Sequence, residues 1–258
     1  MISLKSKSWQ IDNIETVLFD KDGTFIDLHY FWGKMTELRV KEVIKRFRLS
    51  DESFEKLCLH LGYDVKSGKM IPDGITALYS RSKIIEIFKS NLLDFGVKTT
   101  NVELAKIFDY VSEIFYQDMV KYTKPIDSAI KFIKNLHQKG VKLGIVTSDS
   151  IVSTQLTLEN FGWTNLFDIV VGRESSTETK ESGALTKLAL EKLDANAQTT
   201  IMIGDAPMDY ISAKNAGINK TILVATGQIC IKELDKTSEF VLESLENLGI
   251  ENCNAKSL

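Results

Sequence analysis

Residues 17–24 read Val17-Leu18-Phe19-Asp20-Lys21-Asp22-Gly23-Thr24: three apolar residues, two acids two positions apart, then a glycine. A continuous apolar run of this kind suits a strand of a parallel sheet that is covered on both faces. Gly23 lets the backbone turn sharply after it. Two carboxylates on one short loop can divide labour, one attacking as a nucleophile while the other handles protons. The same residues would also make an ordinary solvated acidic turn, because Asp-Gly pairs mark turns. The rest of the chain separates these alternatives.

Outward from the first strand, over 15–20, the pattern changes twice. From about Leu28 to Tyr122 the apolar residues recur at three-to-four spacing. Phe31, Met35 and Leu38 begin a stripe that Val40, Val43, Ile44 and Phe47 continue. Phe54, Leu57, Cys58 and Leu61 form a second, with Gly62 as its stop. Leu78, Ile85, Phe88 and Leu92 form a third. Leu104, Ile107, Phe108, Val111, Ile114 and Phe115 form a fourth, with Asn101 as its N-cap. Four amphipathic helices read as a small bundle with an aromatic-rich core. From Pro125 onward helices and strands alternate: helices over 126–139, 152–161, 183–193 and 208–216, and strands over 141–146, 168–171, 199–203, 221–225 and 240–242. Such alternation implies βαβ units and a parallel sheet. The strand before Asp20 needs partners and finds them only in that sheet. The helical stretch, 28–123, is then an insertion into an α/β core made of 1–27 and 124–258.

Composition is that of an ordinary globular chain: 258 residues, 43% hydrophobic and 26% charged. A formal net charge of -3 argues against a nucleic-acid partner or an anionic membrane held by bulk electrostatics. No apolar stretch is long enough to span a bilayer, and the polar, lysine-containing residues 1–10 do not read as a signal peptide. Cys58, Cys230 and Cys253 are far apart and form neither a metal pattern nor a disulfide framework, which suits a reducing cytoplasm.

In open parallel sheets, ligands bind beyond the carboxyl ends of the strands. The first strand ends in Asp20 and Asp22, the second in Thr147-Ser148-Asp149, and the fourth in Gly204-Asp205, with Asp209 a helical turn later. Lys180 precedes the intervening helix. Carboxylates, hydroxyls and a lysine thus converge on one edge, a set suited to a phosphoryl group. Asp20, Asp205 and a main-chain carbonyl at Asp22 can hold a hard cation such as Mg²⁺, with Asp209 in support. Thr147, with Ser148 beside it, and Lys180 can bind phosphoryl oxygens. Asp20 can then attack phosphorus in line, and Asp22 can protonate the leaving oxygen and later activate water. Asp149 or Ser150 reads as the cap of the helix that starts near Ile151. His29, His60 and His137 have no neighbours that suggest a triad or zinc site. Lys66, Lys69 and Arg81 read as surface charges or as contacts to a substrate anion.

On these motifs the chain resembles the haloacid dehalogenase-like superfamily of phosphotransferases. Residues 17–24 match its first motif, Gly144-Ile145-Val146-Thr147 its second, Lys180 its third, and Ile201-Met202-Ile203-Gly204-Asp205-Ala206-Pro207-Met208-Asp209 its fourth. Residues 211–217 look like the helix that follows in phosphoglycolate phosphatase-like members. Where relatives often carry a proline after the lysine, this chain has Glu181. The resemblance implies an α/β fold, a Rossmann-like parallel sheet core with an inserted α-helical bundle cap domain. It implies a cytoplasmic, Mg²⁺-dependent phosphatase that hydrolyses a small phosphorylated metabolite through an aspartyl-phosphate. In that assignment Asp20 and Asp22 are catalytic, Thr147, Ser148 and Lys180 bind substrate, and Asp20, Asp22, Asp205 and Asp209 serve the metal. Dehalogenases lack the second aspartate and transport ATPases carry threonine there, so Asp22 points to prompt turnover of a phosphoenzyme. A phosphomutase of the β-phosphoglucomutase type is the alternative, followed by a non-enzymatic metabolite-binding protein on the same fold.

Overall fold

The structure, a computed structural model, describes residues 1–252; Cys253 lies outside them. In chain order it contains β1 (Ile2–Lys5), β2 (Gln10–Ile14), β3 (Thr16–Phe19), α1 (Leu28–Phe47), α2 (Phe54–His60), β4 (Tyr63–Asp64), β5 (Lys69–Met70) and α3 (Ile75–Leu78). It continues with α4 (Arg81–Leu92), α5 (Asn101–Gln117), α6 (Met119–Tyr122), α7 (Asp127–Gln138), β6 (Lys142–Val146), α8 (Ile151–Asn160) and β7 (Ile169–Val171). It closes with α9 (Ala184–Leu193), β8 (Thr200–Gly204), α10 (Pro207–Asn215), β9 (Thr221–Val224), α11 (Ile231–Leu234), β10 (Phe240–Leu242) and β11 (Gly249–Asn252). The chain divides into two compact units, Met1–Asp27 with Pro125–Leu258, and Leu28–Lys124.

The first unit is an α/β layer structure. Six strands form one parallel sheet in the order β10-β9-β8-β3-β6-β7. The chain leaves β3 towards β6 and β7, then returns to the other side of β3 and proceeds outward through β8, β9 and β10. The order therefore reverses between β3 and β8, the topological switch point at which α/β sheets place their ligands. All four residues of β3 are buried, as expected of a central strand covered on both faces. Leu18 packs in one cluster with Val146, Met202 and the α9 residues Leu185, Ala189 and Leu190. Phe19 and Phe25 both meet the ring of Phe167, with centroids 6.3 and 5.6 Å away.

A second sheet in this unit lies outside the sequence-based expectation. β1 pairs antiparallel with both β2 and β11, in the order β11-β1-β2. Ile2, Leu4, Ile11 and Ile14 are buried, and Trp9 packs edge-on against Phe240 at 5.2 Å. The alternation Ile2-Ser3-Leu4-Lys5 carries the two-residue period of a strand, but over too few residues to stand out beside the flanking lysines.

The second unit is the helical insert. Its core joins Val40 and Val43 of α1, Leu57 and Cys58 of α2, Phe88 and Leu92 of α4, and Leu104 and Phe108 of α5. Three local expectations need correction. Asn101 is not the cap of α5: Thr100 holds that place, and its hydroxyl accepts from the Glu103 N–H. Leu78 does not belong to the α4 stripe; it sits on the separate short α3 and is 58% exposed. In α1, Arg39 is buried while Leu38 is only half-buried. The Arg39 guanidinium lies 4.4 Å from the centre of the Phe108 ring, a cation–π contact that lets a charge enter an apolar face. Between α2 and α3 the chain adds the small antiparallel pair β4–β5.

Among the described residues, no helix is long and apolar enough to cross a membrane. Leu18→Ala should cost about 3 kcal/mol, and Leu18→Met under ~1.5 kcal/mol, because only the former opens a cavity beneath α9. Thermal unfolding checks this: the alanine variant should melt roughly 6–12 °C lower, and equal midpoints for the two variants would contradict this packing.

Candidate active site

Sheet register builds the site. Phe19 pairs with Ile145 of β6 on one side and Ile203 of β8 on the other. The next residue, Asp20, is held by its N–H to the Ile203 carbonyl at 2.9 Å. One step beyond the ends of the two neighbouring strands come Thr147 and Asp205. Asp20 and Asp205 therefore flank the switch point for a reason already present in the strand pairing.

Oxygens of Asp20, Asp205 and Asp209 lie within 4.8 Å of one another, and all three residues are buried. Lys180, also buried, places its Nζ 2.5 Å from Asp20 Oδ1 and 2.6 Å from Asp209 Oδ1. The other Asp209 oxygen accepts the backbone N–H groups of Asp205 and Ala206, each at 3.1 Å. Asp209, in the first turn of α10 behind Pro207, thus pegs the loop that presents Asp205.

Two glycines make room for this. Gly23 has φ +89°, and a Cβ there would fall 2.3 Å from Asp205 Oδ2. A Cβ on Gly227 would fall 1.7 Å from the same oxygen. The loop after β9 also supplies Thr226, whose hydroxyl donates to the Gly23 carbonyl at 2.6 Å.

Three carboxylates against one ammonium leave an excess of buried negative charge. Burial pushes the Asp20 carboxyl up to about 7 from 3.8; Lys180 pulls it back, while Asp209 and Asp22 add to the rise. Asp205 is raised well above the ordinary carboxylate range by burial and then by the charges of Asp20 and Asp209. Burial opposes the charge of Lys180, yet Asp20 and Asp209 outweigh it and hold its pKa above the usual lysine value. A cluster of carboxylate oxygens, buried, short of positive charge and walled by glycines, fits a small hard divalent cation.

The remaining sequence candidates sit around this cluster. Thr147 is buried, and its Oγ1 accepts the Asp149 N–H at 3.1 Å. Ser148 is exposed, with its hydroxyl 3.8 Å from the Met208 sulfur. The Asp22 carboxylate is outside the acidic group and instead meets Lys21, at 2.6 Å from Oδ1. Ser150, rather than Asp149, caps α8, its hydroxyl accepting from the Ser153 N–H. Lys21, Thr226 and Gly227 carried no site role in the sequence reading, and Asp149 read only as a strand-end acid or helix cap. The strand-end rule, applied as well to the strand over 221–225, would have led to Thr226 and Gly227. Nothing in the sequence marks Lys21 as buried, since a lysine between two acids looks solvated.

Residues 17–224 match the family model described as haloacid dehalogenase-like hydrolase. A pyrophosphatase PpaX of Halalkalibacterium halodurans is 26% identical over 237 residues, 91% of this chain and 95% of that one. A phosphoglycolate phosphatase of Aquifex aeolicus is 24% identical over 218 residues, 84% of this chain and 87% of that one. The crystal structure of a HAD-superfamily hydrolase, subfamily IA, variant 1, from Geobacter sulfurreducens superposes with a TM-score of 0.62 at 19% identity, covering 91% of this chain and 94% of that one. The match takes in β3, the helical insert and the strand ends that carry Asp20, Thr147 and Asp205, and so the chain belongs to the haloacid dehalogenase-like hydrolase family.

Proposed function

We propose that this chain is a Mg²⁺-dependent phosphatase acting on a small phosphorylated metabolite through an aspartyl-phosphate. The observation that carries this reading is the buried contact of Lys180 with Asp20, 2.5 Å, beside Asp205 at the sheet's switch point. Asp20 is the nucleophile. Lys180 and Thr147, with Ser148 at the exposed rim, hold the non-reacting phosphoryl oxygens. Asp20, Asp205 and Asp209, with the Asp22 main-chain carbonyl, would hold the cation. When bound, the cation neutralises phosphoryl charge and screens Asp20 from its neighbours. Asp20 forms the bond to phosphorus as the leaving oxygen departs with a proton from Asp22. In the second half, Asp22 takes a proton from water as the water oxygen displaces Asp20.

Hydrolysis is favoured over phosphoryl return to a sugar by the names of the relatives, a pyrophosphatase and a phosphoglycolate phosphatase. Both names fit a compact, highly anionic substrate.

With p-nitrophenyl phosphate and Mg²⁺, Asp20→Asn should lower kcat by at least ~10³-fold, and chelation should abolish turnover until Mg²⁺ is restored. Wild-type turnover by Asp20→Asn would contradict the reading.

A second outcome follows from the raised Asp20 pKa. In cation-free protein the native state keeps a proton that the unfolded chain releases between about pH 4 and pH 7. The stability that Asp20 contributes is thus full below the lower value and lost as pH rises through the upper one. In EDTA, the thermal midpoint of wild type relative to Asp20→Asn should fall between about pH 4 and pH 7. Mg²⁺ at the higher pH should raise the wild-type midpoint more than that of the variant. A pH-independent difference would contradict this account of the cluster.

A further inference from the structure

We propose that Lys21 is a positioning residue for Asp22: together with Asp149 it fixes the Asp22 carboxylate for hydrolysis of the phosphoenzyme. The inference rests on the phosphatase reading and adds residues to which that reading gives no role.

Lys21 is among the largest fully buried side chains of the protein. A buried ammonium loses its hydration and persists only when paired. An apolar side chain would fill the same slot without that cost, so the charge itself calls for an explanation. Lys21 Nζ lies 2.6 Å from Asp22 Oδ1 and 3.1 Å from Asp149 Oδ2. Lys180 meanwhile serves Asp20 and Asp209. The two acids of one loop are therefore held by different cations.

Both ends of Lys21 are anchored. Its carbonyl accepts the N–H groups of Thr24, Phe25 and Ile26 at 3.3, 3.1 and 3.1 Å. Asp149, its far partner, is fixed in three ways. Its N–H donates to Thr147 Oγ1 at 3.1 Å, its Oδ1 accepts the Ser150 N–H at 2.7 Å, and its carbonyl accepts the Arg173 N–H at 3.0 Å. A continuous run of contacts thus joins Thr147 to Asp149, Lys21 and Asp22. Asp22 precedes Gly23, where the backbone is freest, and its carboxylate has several rotamers open to it. The Lys21 ammonium selects one of them.

This bears on one half of the reaction. With acetyl phosphate as donor, an Asp20 oxygen bonds to phosphorus, the bond from phosphorus to the acetyl oxygen breaks, and acetate leaves with the electron pair and needs no proton. In the second half, a water oxygen bonds to phosphorus, the bond to Asp20 breaks with its electron pair returning to the carboxylate, and the water proton passes to Asp22. Only the second half then depends on where Asp22 points.

Rapid-quench kinetics with radiolabelled acetyl phosphate and Mg²⁺ separates the two halves. Lys21→Met alone leaves the buried Asp149 and the half-buried Asp22 carboxylates without their cation, so misfolding could mimic the effect. Lys21→Met combined with Asp149→Asn removes one charge of each sign. The paired variant should form phosphoenzyme within about three-fold of the wild-type rate and hydrolyse it roughly 30-fold more slowly, so that phosphoenzyme accumulates. Asp149→Asn alone keeps the Lys21–Asp22 contact and should slow hydrolysis less than the paired variant. Unchanged hydrolysis in the paired variant, an equal fall in both halves, or a single Asp149→Asn effect as large as the paired one would overturn the proposal. Absence of phosphoenzyme in both wild type and Asp22→Asn would overturn the phosphatase reading itself, and this proposal with it.

Discussion

Bringing Asp20, Asp205 and Asp209 within 4.8 Å of one another in a buried place is the constraint to which the rest of the site answers. Each ionised carboxylate taken from water costs several kcal/mol unless it is paired, and here like charges also repel. Lys180 meets part of that cost through its contacts with Asp20 and Asp209. Backbone N–H groups of Asp205 and Ala206 meet more of it at Asp209. The excess charge that remains raises the Asp20 and Asp205 carboxyls, and it is the physical basis of an affinity for a small cation. Gly23 and Gly227 follow from the same crowding, because any side chain at either position would collide with Asp205.

A second group of charges solves a different problem on the same loop. Asp20 and Asp22 are two residues apart, yet they serve opposite ends of the proposed reaction and need different surroundings. The structure gives them separate cations: Lys180 for Asp20, and Lys21 with its partner Asp149 for Asp22. Register makes this arrangement reproducible. With Phe19 fixed between Ile145 and Ile203, the loops after β6 and β8 start level with one another and one residue beyond the start of the loop after β3.

The fold was legible where periodicity was long. The α/β alternation after Pro125 and the helical stripes of the insert gave class and order, and the strand-end rule led to Asp20, Thr147 and Asp205. The short β1, β2 and β11 escaped because four or five residues carry little pattern. Arg39 escaped because nothing in a sequence pairs it with Phe108, sixty-nine positions away. Lys21 and Asp149 escaped for a related reason. Their burial comes from packing around the strand-end loops, whereas each looked locally like a solvated charge or a helix cap. Lys180 ran the other way: a lysine beside Glu181 without the proline of relatives looked ordinary, and its burial against Asp20 and Asp209 sets it apart.

The central claim is that Asp20 itself accepts the phosphoryl group. The most direct measurement is borohydride reduction of acid-quenched protein after brief turnover with Mg²⁺ and a phosphate ester, followed by peptide mass spectrometry. An aspartyl-phosphate is reduced to homoserine, so the account predicts that conversion at residue 20 and at no other aspartate. Reduction at a different residue, or none while phosphate is being released, would contradict it.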